Sequence, residues 1–416
     1  MMTSQLKFTL STIAVSTLWA WTSARAQGCV QMDWSAPATI GTPTAYGAYV
    51  EIPEILESKE GIMFIGSPSW TYEKDPTKFG PVAGFLRSND GTFTVIPLPP
   101  GHKRLAAPRA TFGPDGTLHL LWVPPDSTGY EDRSDRSRLF SSRFVRGAWT
   151  TPVTVFRDGK ALYWTYNSTT GVVSRGPDRE IVAPFLETRS IAIVQLKDTV
   201  WHFSVLLSGT PTVSKPRLVL PQKGVVLIGF IDLDRETDSK SRGLYGLFIR
   251  RSLDDGTSWT APIRISRPES EYAFDPFVLS AADGRLVATW TVGNRIGKRS
   301  AIAVSVSSDT GRTWTLPSVT PIGRGTIESL RAALARDGSL WVVVQNVIGK
   351  SRSPAVFAWD GRWSRIWSPP NETQSFGQPT IGAVKDQIVV TWATSAAKVQ
   401  GQTLDMTRYV LGHPRC

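Results

Sequence analysis

The sequence predicts an all-β protein: a seven-bladed β-propeller of four-stranded antiparallel blades, its ring closed by the N-terminal strand. Three observations predict it. One aromatic column recurs at Trp34, Phe93, Trp149, Trp201, Trp259, Trp314 and Trp363, with spacings of 59, 56, 52, 58, 55 and 49 residues. A turn leading into a strand recurs in a second column: DGTLHLLW at 115–122, DGRLVATW at 283–290, DGSLWVVV at 337–344 and, more loosely, DQIVVTW at 386–392. Asp-Gly ahead of alternating apolar residues is a tight-turn-then-strand signal. Third, 35 Gly, 29 Pro and 16 Trp against 5 Met favour short strands and turns over long helices.

Residues 1–26 read as a signal peptide rather than as fold. Lys7 precedes an apolar run from Phe8 to Trp21, and Ala24-Arg25-Ala26 supplies a small-x-small cleavage site after Ala26. The run is short and rich in Ser and Thr for a membrane span, and no other segment approaches one. The expected location is secreted or periplasmic. Cys29 and Cys416 are the two cysteines, at either end of the mature chain. In an exported protein they are expected to form one disulfide.

Residues 27–416 are expected to form a single propeller domain. Each period reads as four short strands; in the fifth these are Asp275–Ser280, Leu286–Val292, Ala301–Ser307 and Trp314–Val319. Blades of this kind cannot bury their own faces and stack in a ring. No three strands precede Trp34, and residues 378–405 supply three strands without an aromatic fourth. Trp34–Ile40 is therefore expected to complete the last blade, which brings Cys29 and Cys416 into one neighbourhood. Six blades is the alternative count.

Two stretches share an eight-residue pattern: Ser252-Leu-Asp254-Asp-Gly256-Thr-Ser-Trp259 and Ser307-Ser-Asp309-Thr-Gly311-Arg-Thr-Trp314. Ser and Asp side chains bond the turn's backbone, Gly permits positive φ, and Trp plugs between strands. With their repeat period these stretches resemble the Asp-boxes, or bacterial neuraminidase repeats, of the sialidase-like propeller superfamily. The resemblance implies that the boxes are structural, on the hairpin between third and fourth strands, away from the catalytic face. It also implies a glycan ligand and, for an enzyme, a glycoside hydrolase related to exo-α-sialidases. Family sialidases open the first blade with an Arg-Ile-Pro strand whose arginine grips the substrate carboxylate, and place an acid-catalyst Asp in a following loop. Here the strand reads Tyr49-Val50-Glu51-Ile52-Pro53-Glu54-Ile55, followed by a loop holding Asp75. Glu51 stands in the arginine's place and would repel a substrate carboxylate, so ordinary sialidase activity is not expected.

The long 2–3 and 4–1 connections fall on one face, which marks it as a binding surface. Its aromatics include Trp70, Tyr163, Trp164 and Tyr272, read either as sugar-stacking platforms or as loop packing. The inner strands, aligned on their Pro or Leu, read EIPEI, APRAT, KPRLV, DPFVL, SLRAA and QPTIG. Arg109, Arg217 and Arg331 share one column; Lys215, Asp275 and Gln378 share the same strand face two residues earlier. Converging arginines grip a carboxylate, sulfate or phosphate. Glu51, Asp75, Asp275 and Glu328 are the candidate acid/base carboxylates. The competing reading of the arginines is a salt-bridged, water-filled channel.

Four scattered His show no metal spacing, so no metal and no cofactor is expected. Net charge is +11, or +9 without Lys7 and Arg25, and is spread over many blades. That distribution suits acidic polymers or envelope surfaces better than nucleic acid. The expected function is an exported, monomeric propeller that recognises or hydrolyses glycans at its long-loop face. The alternative is a non-catalytic scaffold for a protein partner or the cell envelope.

Overall fold

The computed structural model describes residues 32–40, 50–68, 82–102, 105–113, 115–123, 139–157, 160–161, 174–176, 179–187, 190–197, 200–207, 214–233, 245–267, 272–294, 297–369, 375–399 and 402–414. The described strands form seven antiparallel sheets and the described residues contain no helix. The inner strands, first in each sheet, are Val50–Glu57, Ala106–Phe112, Ser174–Gly176, Ser214–Gln222, Tyr272–Ser280, Thr326–Leu334 and Ser375–Val384. Each lies beside the inner strand of the next sheet, and the last lies beside the first. This is a propeller of small antiparallel sheets around one axis.

Packing follows the same circle. Strands that are apolar on both faces bury one face against each neighbouring sheet. Met63, Ile65 and Trp122 pack between the first and second sheets, Leu121 and Val194 between the second and third, Ile193 and Phe230 between the third and fourth. Leu227 and Trp290 join the fourth and fifth, Val287 and Val344 the fifth and sixth, Val343 and Trp392 the sixth and seventh, and Phe64 and Tyr409 the seventh and first. Trp122, Trp290, Trp341 and Trp392 are fully buried. Each occupies the second strand of its sheet; Trp122, Trp290 and Trp392 end the turn-then-strand phrase, and Trp341 lies within it.

The seventh sheet is completed from the other end of the chain. Ser375–Val384, Gln387–Val399 and Gln402–Pro414 pair with Met32–Trp34, in the register Met32 to Pro414 and Trp34 to Gly412, and then with Ala38–Thr39. The expected closing strand starts two residues earlier than Trp34 and is broken at Ser35–Pro37. Cys29 and Cys416 lie outside the described residues.

In the fifth sheet the strands are Tyr272–Ser280, Leu286–Gly293, Arg299–Ser307 and Ser318–Pro321. The last corrects the expectation: Trp314 precedes the strand and belongs to the turn. The reason is the hydrogen bonding of the eight-residue pattern. Ser307 Oγ accepts the Gly311 N–H and donates to Asp309 Oδ1, both at 2.8 Å, while Asp309 also takes the Thr313 N–H (2.8 Å) and hydroxyl (2.6 Å). Trp314 Nε1 closes the turn on the Gly311 carbonyl at 3.3 Å. Ser252, Asp254, Gly256, Ser258 and Trp259 repeat the arrangement in the fourth sheet. Gly311 has φ +81°, and a Cβ there would meet the Leu227 side chain at 2.2 Å. The turn therefore docks on the preceding sheet as well as bracing its own. Both turns lie on the third-to-fourth-strand hairpin, at the end of the ring opposite the 2–3 and 4–1 connections.

Candidate functional site: an arginine cluster on the axis

The inner strands share a defect that builds the site. Six of them shift register in their first half: between Glu51 and Glu54, Ala106 and Arg109, Ser214 and Arg217, Phe274 and Phe277, Ile327 and Ser329, and Phe376 and Thr380. In five of them a proline sits inside the shift: Pro53, Pro108, Pro216, Pro276 and Pro379. Proline has no N–H for the ladder, and a bulge at that point bends the strand and re-aims the next side chain. The side chains delivered next are Glu54, Arg109, Arg217, Phe277 and Thr380. Arg331 takes the same position after Leu330.

Three guanidiniums from the second, fourth and sixth sheets thus converge with a carboxylate from the first. Arg109 Nε lies 3.5 Å from Glu54 Oε1, and its Nη1 donates to the Pro108 carbonyl at 2.9 Å. Arg217 Nε donates to the Pro276 carbonyl at 2.9 Å, and its guanidinium sits 4.3 Å from the Phe277 ring centroid. Arg331 lies 6.0 Å from the same ring, donating to the Leu330 carbonyl (3.1 Å) and to Gln378 Oε1 (2.5 Å). Phe277 is a shared floor for two cations, each contact contributing about 0.5–2 kcal/mol.

The electrostatics place the cluster deep in the ring. Burial pushes Arg217 down to about 9, assisted by Arg331 and Arg109 and opposed by Glu54 and Asp275. Burial pushes the Glu54 carboxyl up, against the pull of Arg109, Arg217 and Arg331. Arg109 and Arg217 are each 5% exposed, whereas the Glu54 side chain keeps 29% of its surface accessible. Glu54 is deep but not sealed: part of its side chain remains accessible to solvent.

A second layer lies toward the 2–3 and 4–1 connections. Asp275 sits inside its strand's bulge with φ +47° and is held by Arg299. Arg299 Nη1 also donates to the Glu328 carbonyl at 2.7 Å, and its guanidinium lies 4.7 Å from the Phe274 ring centroid. The Glu328 carboxylate itself is engaged by Arg352 at 2.8 and 3.3 Å, in an exposed pair. Among the described side chains of the two layers, four guanidiniums face two carboxylates, Glu54 and Asp275.

Of the residues singled out in the sequence, Arg109, Arg217, Arg331 and Asp275 are brought together. Glu328 contributes its carbonyl but commits its carboxylate to Arg352. Tyr272 is only 8% exposed and packs on Tyr245 at 6.3 Å between centroids, so it is a packing residue rather than an open stacking platform. Glu51 pairs with Ser67 in the first sheet, but its side chain, and that of Lys215, lie outside the described residues, as do Asp75, Trp70, Tyr163 and Trp164. Glu54, Phe277 and Arg299 were not anticipated. Glu54 follows Pro53 as Arg109 follows Pro108, and the strand alignment already contained that signal. Arg299 carries no such mark. No group of three or more His, Cys, Asp or Glu among the described residues is placed to hold a metal ion, and no described helix is long and apolar enough to cross a membrane.

No known family profile and no curated protein matches the sequence. Among solved structures the chain is similar in fold to a polysaccharide lyase described as a PL25 ulvan lyase, at 10% identity and TM-score 0.55, over 87% of this chain and 94% of that one. It is similar also to the polysaccharide lyase Uly1, at 12% identity and TM-score 0.53, over 94% of each. An α-L-arabinanase of Penicillium chrysogenum complexed with arabinobiose aligns at 14% identity and TM-score 0.49, over 73% and 92%. At these identities the two lyase structures show a likeness of fold alone.

Proposed function

We propose that this chain is an exported, sialidase-like propeller that recognises an acidic glycan in the axial recess. Arg109, Arg217 and Arg331 take the carboxylate or sulfate of a sugar unit, and the 2–3 and 4–1 connections contact its neighbours. The observation that carries the reading is the convergence of three arginines on one accessible recess. Their rigid fork geometry suits planar oxyanions. Two structures of similar fold belong to polysaccharide lyases, which supports a polysaccharide as the ligand class. The seven sheets, each with a core against its neighbours, support counting seven blades rather than six. Cleavage after Ala26 and a Cys29–Cys416 bridge complete the proposal.

A glycan array that includes uronate-containing and sulfated oligosaccharides tests it. The same glycans, incubated with the protein, should be assayed for unsaturated lyase products and for new reducing ends, beside a panel of chromogenic glycosides. Retention of acidic over neutral glycans is expected; retention of neither would overturn the reading.

A further inference from the structure

Glu54 sits where the three axial arginines converge. It lies in the same column as the three arginines, 3.5 Å from Arg109, and Arg217 and Arg331 act on it from two other sheets. A carboxylate there is costly without cations, and three guanidiniums crowded together are costly without an anion. Each therefore stabilises the other in the empty protein. We infer that Glu54 is the resident anion of this site, an internal mimic that an incoming carboxylate or sulfate displaces. This rests on reading the axial cluster as a ligand site.

Displacement has a thermodynamic signature. Once its cations turn to the ligand, Glu54 is left ionised in a recessed place, and taking up a proton relieves the cost. Ligand binding is then coupled to proton uptake, and affinity rises as pH falls. The charged groups around Glu54 come from other sheets. Arg109 faces it from the second sheet, Arg217 from the fourth and Arg331 from the sixth. The seventh sheet offers the uncharged Gln378 and Thr380, and Asp275 of the fifth is held by Arg299. The other acidic side chain resolved on the Glu54 strand, Glu57, is at the far end. There it receives Arg336 Nη2 and the Lys385 N–H, each at 2.8 Å.

The experiment is calorimetric titration with inorganic sulfate and with glucuronate, from about pH 8 to about pH 5, where both keep constant charge. Wild type, Glu54→Gln and Glu57→Gln are compared. In wild type, both anions should bind more tightly at low pH, with proton uptake seen as a dependence of the heat on buffer ionisation. Glu54→Gln should bind at least ~10-fold tighter near pH 8 and lose the pH dependence, about 1.4 kcal/mol in free energy. Glu57→Gln removes the same charge from the opposite end and should match wild type. Binding by Glu54→Gln that is equal to or weaker than wild type would overturn the inference and leave the glycan reading standing. Tighter anion binding by Glu54→Gln alongside a blank glycan array would do the reverse. If Glu54→Gln does not fold, the wild-type pH and buffer dependence decides alone: affinity flat in pH without proton uptake refutes the displacement. No binding of either anion by any form overturns both readings.

Discussion

Replacing Ser307 by Ala separates the structural turns from the site. The Ser307 side chain is 1% exposed, and its Oγ accepts the buried Gly311 N–H while donating to Asp309. Alanine leaves that N–H without its partner, and a buried unsatisfied donor costs about 1–3 kcal/mol. For a cooperative domain of this size that amounts to a drop in Tm of roughly 1–5 °C. Asp309 adds a pH signature. Burial pulls it up, but the bonds from Thr313 and Ser307 prevail and hold it at about 2, against an ordinary 3.8. Its stabilisation is therefore complete above its unfolded value and lost as pH falls through the folded one, a window from about pH 4 down to about pH 2. Ser307→Ala removes one of those donors and should weaken this acid-dependent term. Ser307→Ala and Asp309→Ala together should cost less than their sum, because they dismantle one network. Urea and thermal unfolding measure the losses, with anion affinity per folded molecule measured in parallel. Unchanged stability, or a change in affinity at full folding, would refute the assignment of this turn to structure alone.

Other expectations follow from ring closure and from the first strand. Deleting residues 30–41 strips the partner from Gln402–Pro414, and the exposed edge should drive aggregation visible by light scattering. Non-reducing peptide mapping of exported protein should find Cys29 joined to Cys416; two free thiols would contradict it. Wild type should hydrolyse a simple chromogenic sialoside little or not at all, and Glu51→Arg alone should gain no activity; robust turnover by wild type would count against the reading of Glu51.

The architecture was legible because a repeated unit repeats its errors as well as its rules. One Asp-Gly turn means little, but three, with a looser fourth at Asp386-Gln387, in register with seven aromatics fix the period. A missing fourth strand at one end also has a single candidate at the other. The arginine column was legible for the same reason: proline marks the bulge in strand after strand, and the next residue points to the axis. Glu54 carries the same preceding proline as Arg109 and Arg217, but the resemblance to sialidases puts the weight on Glu51, three residues earlier. Phe277 is an apolar residue in a column of charged ones, and nothing in its spacing shows that its ring supports two of the arginines. Arg299 with Asp275, and the exposed Arg352 pair of Glu328, arise from contacts between the first and third strands of one sheet, which no local spacing encodes. An aromatic near a loop looks the same in sequence whether it faces solvent or, as Tyr272 does, packs on Tyr245.

The central claim is that an acidic sugar is held by the axial arginines. It is tested most directly by titrating the best-retained acidic glycan into wild type, Arg217→Ala and Arg331→Ala, with folding checked by tryptophan fluorescence. Each substitution removes a charge-assisted contact, and each should weaken binding by roughly 1.5–3 kcal/mol, about 10- to 150-fold. A glycan that binds both variants as tightly as wild type would contradict the account and place recognition in the outer loops.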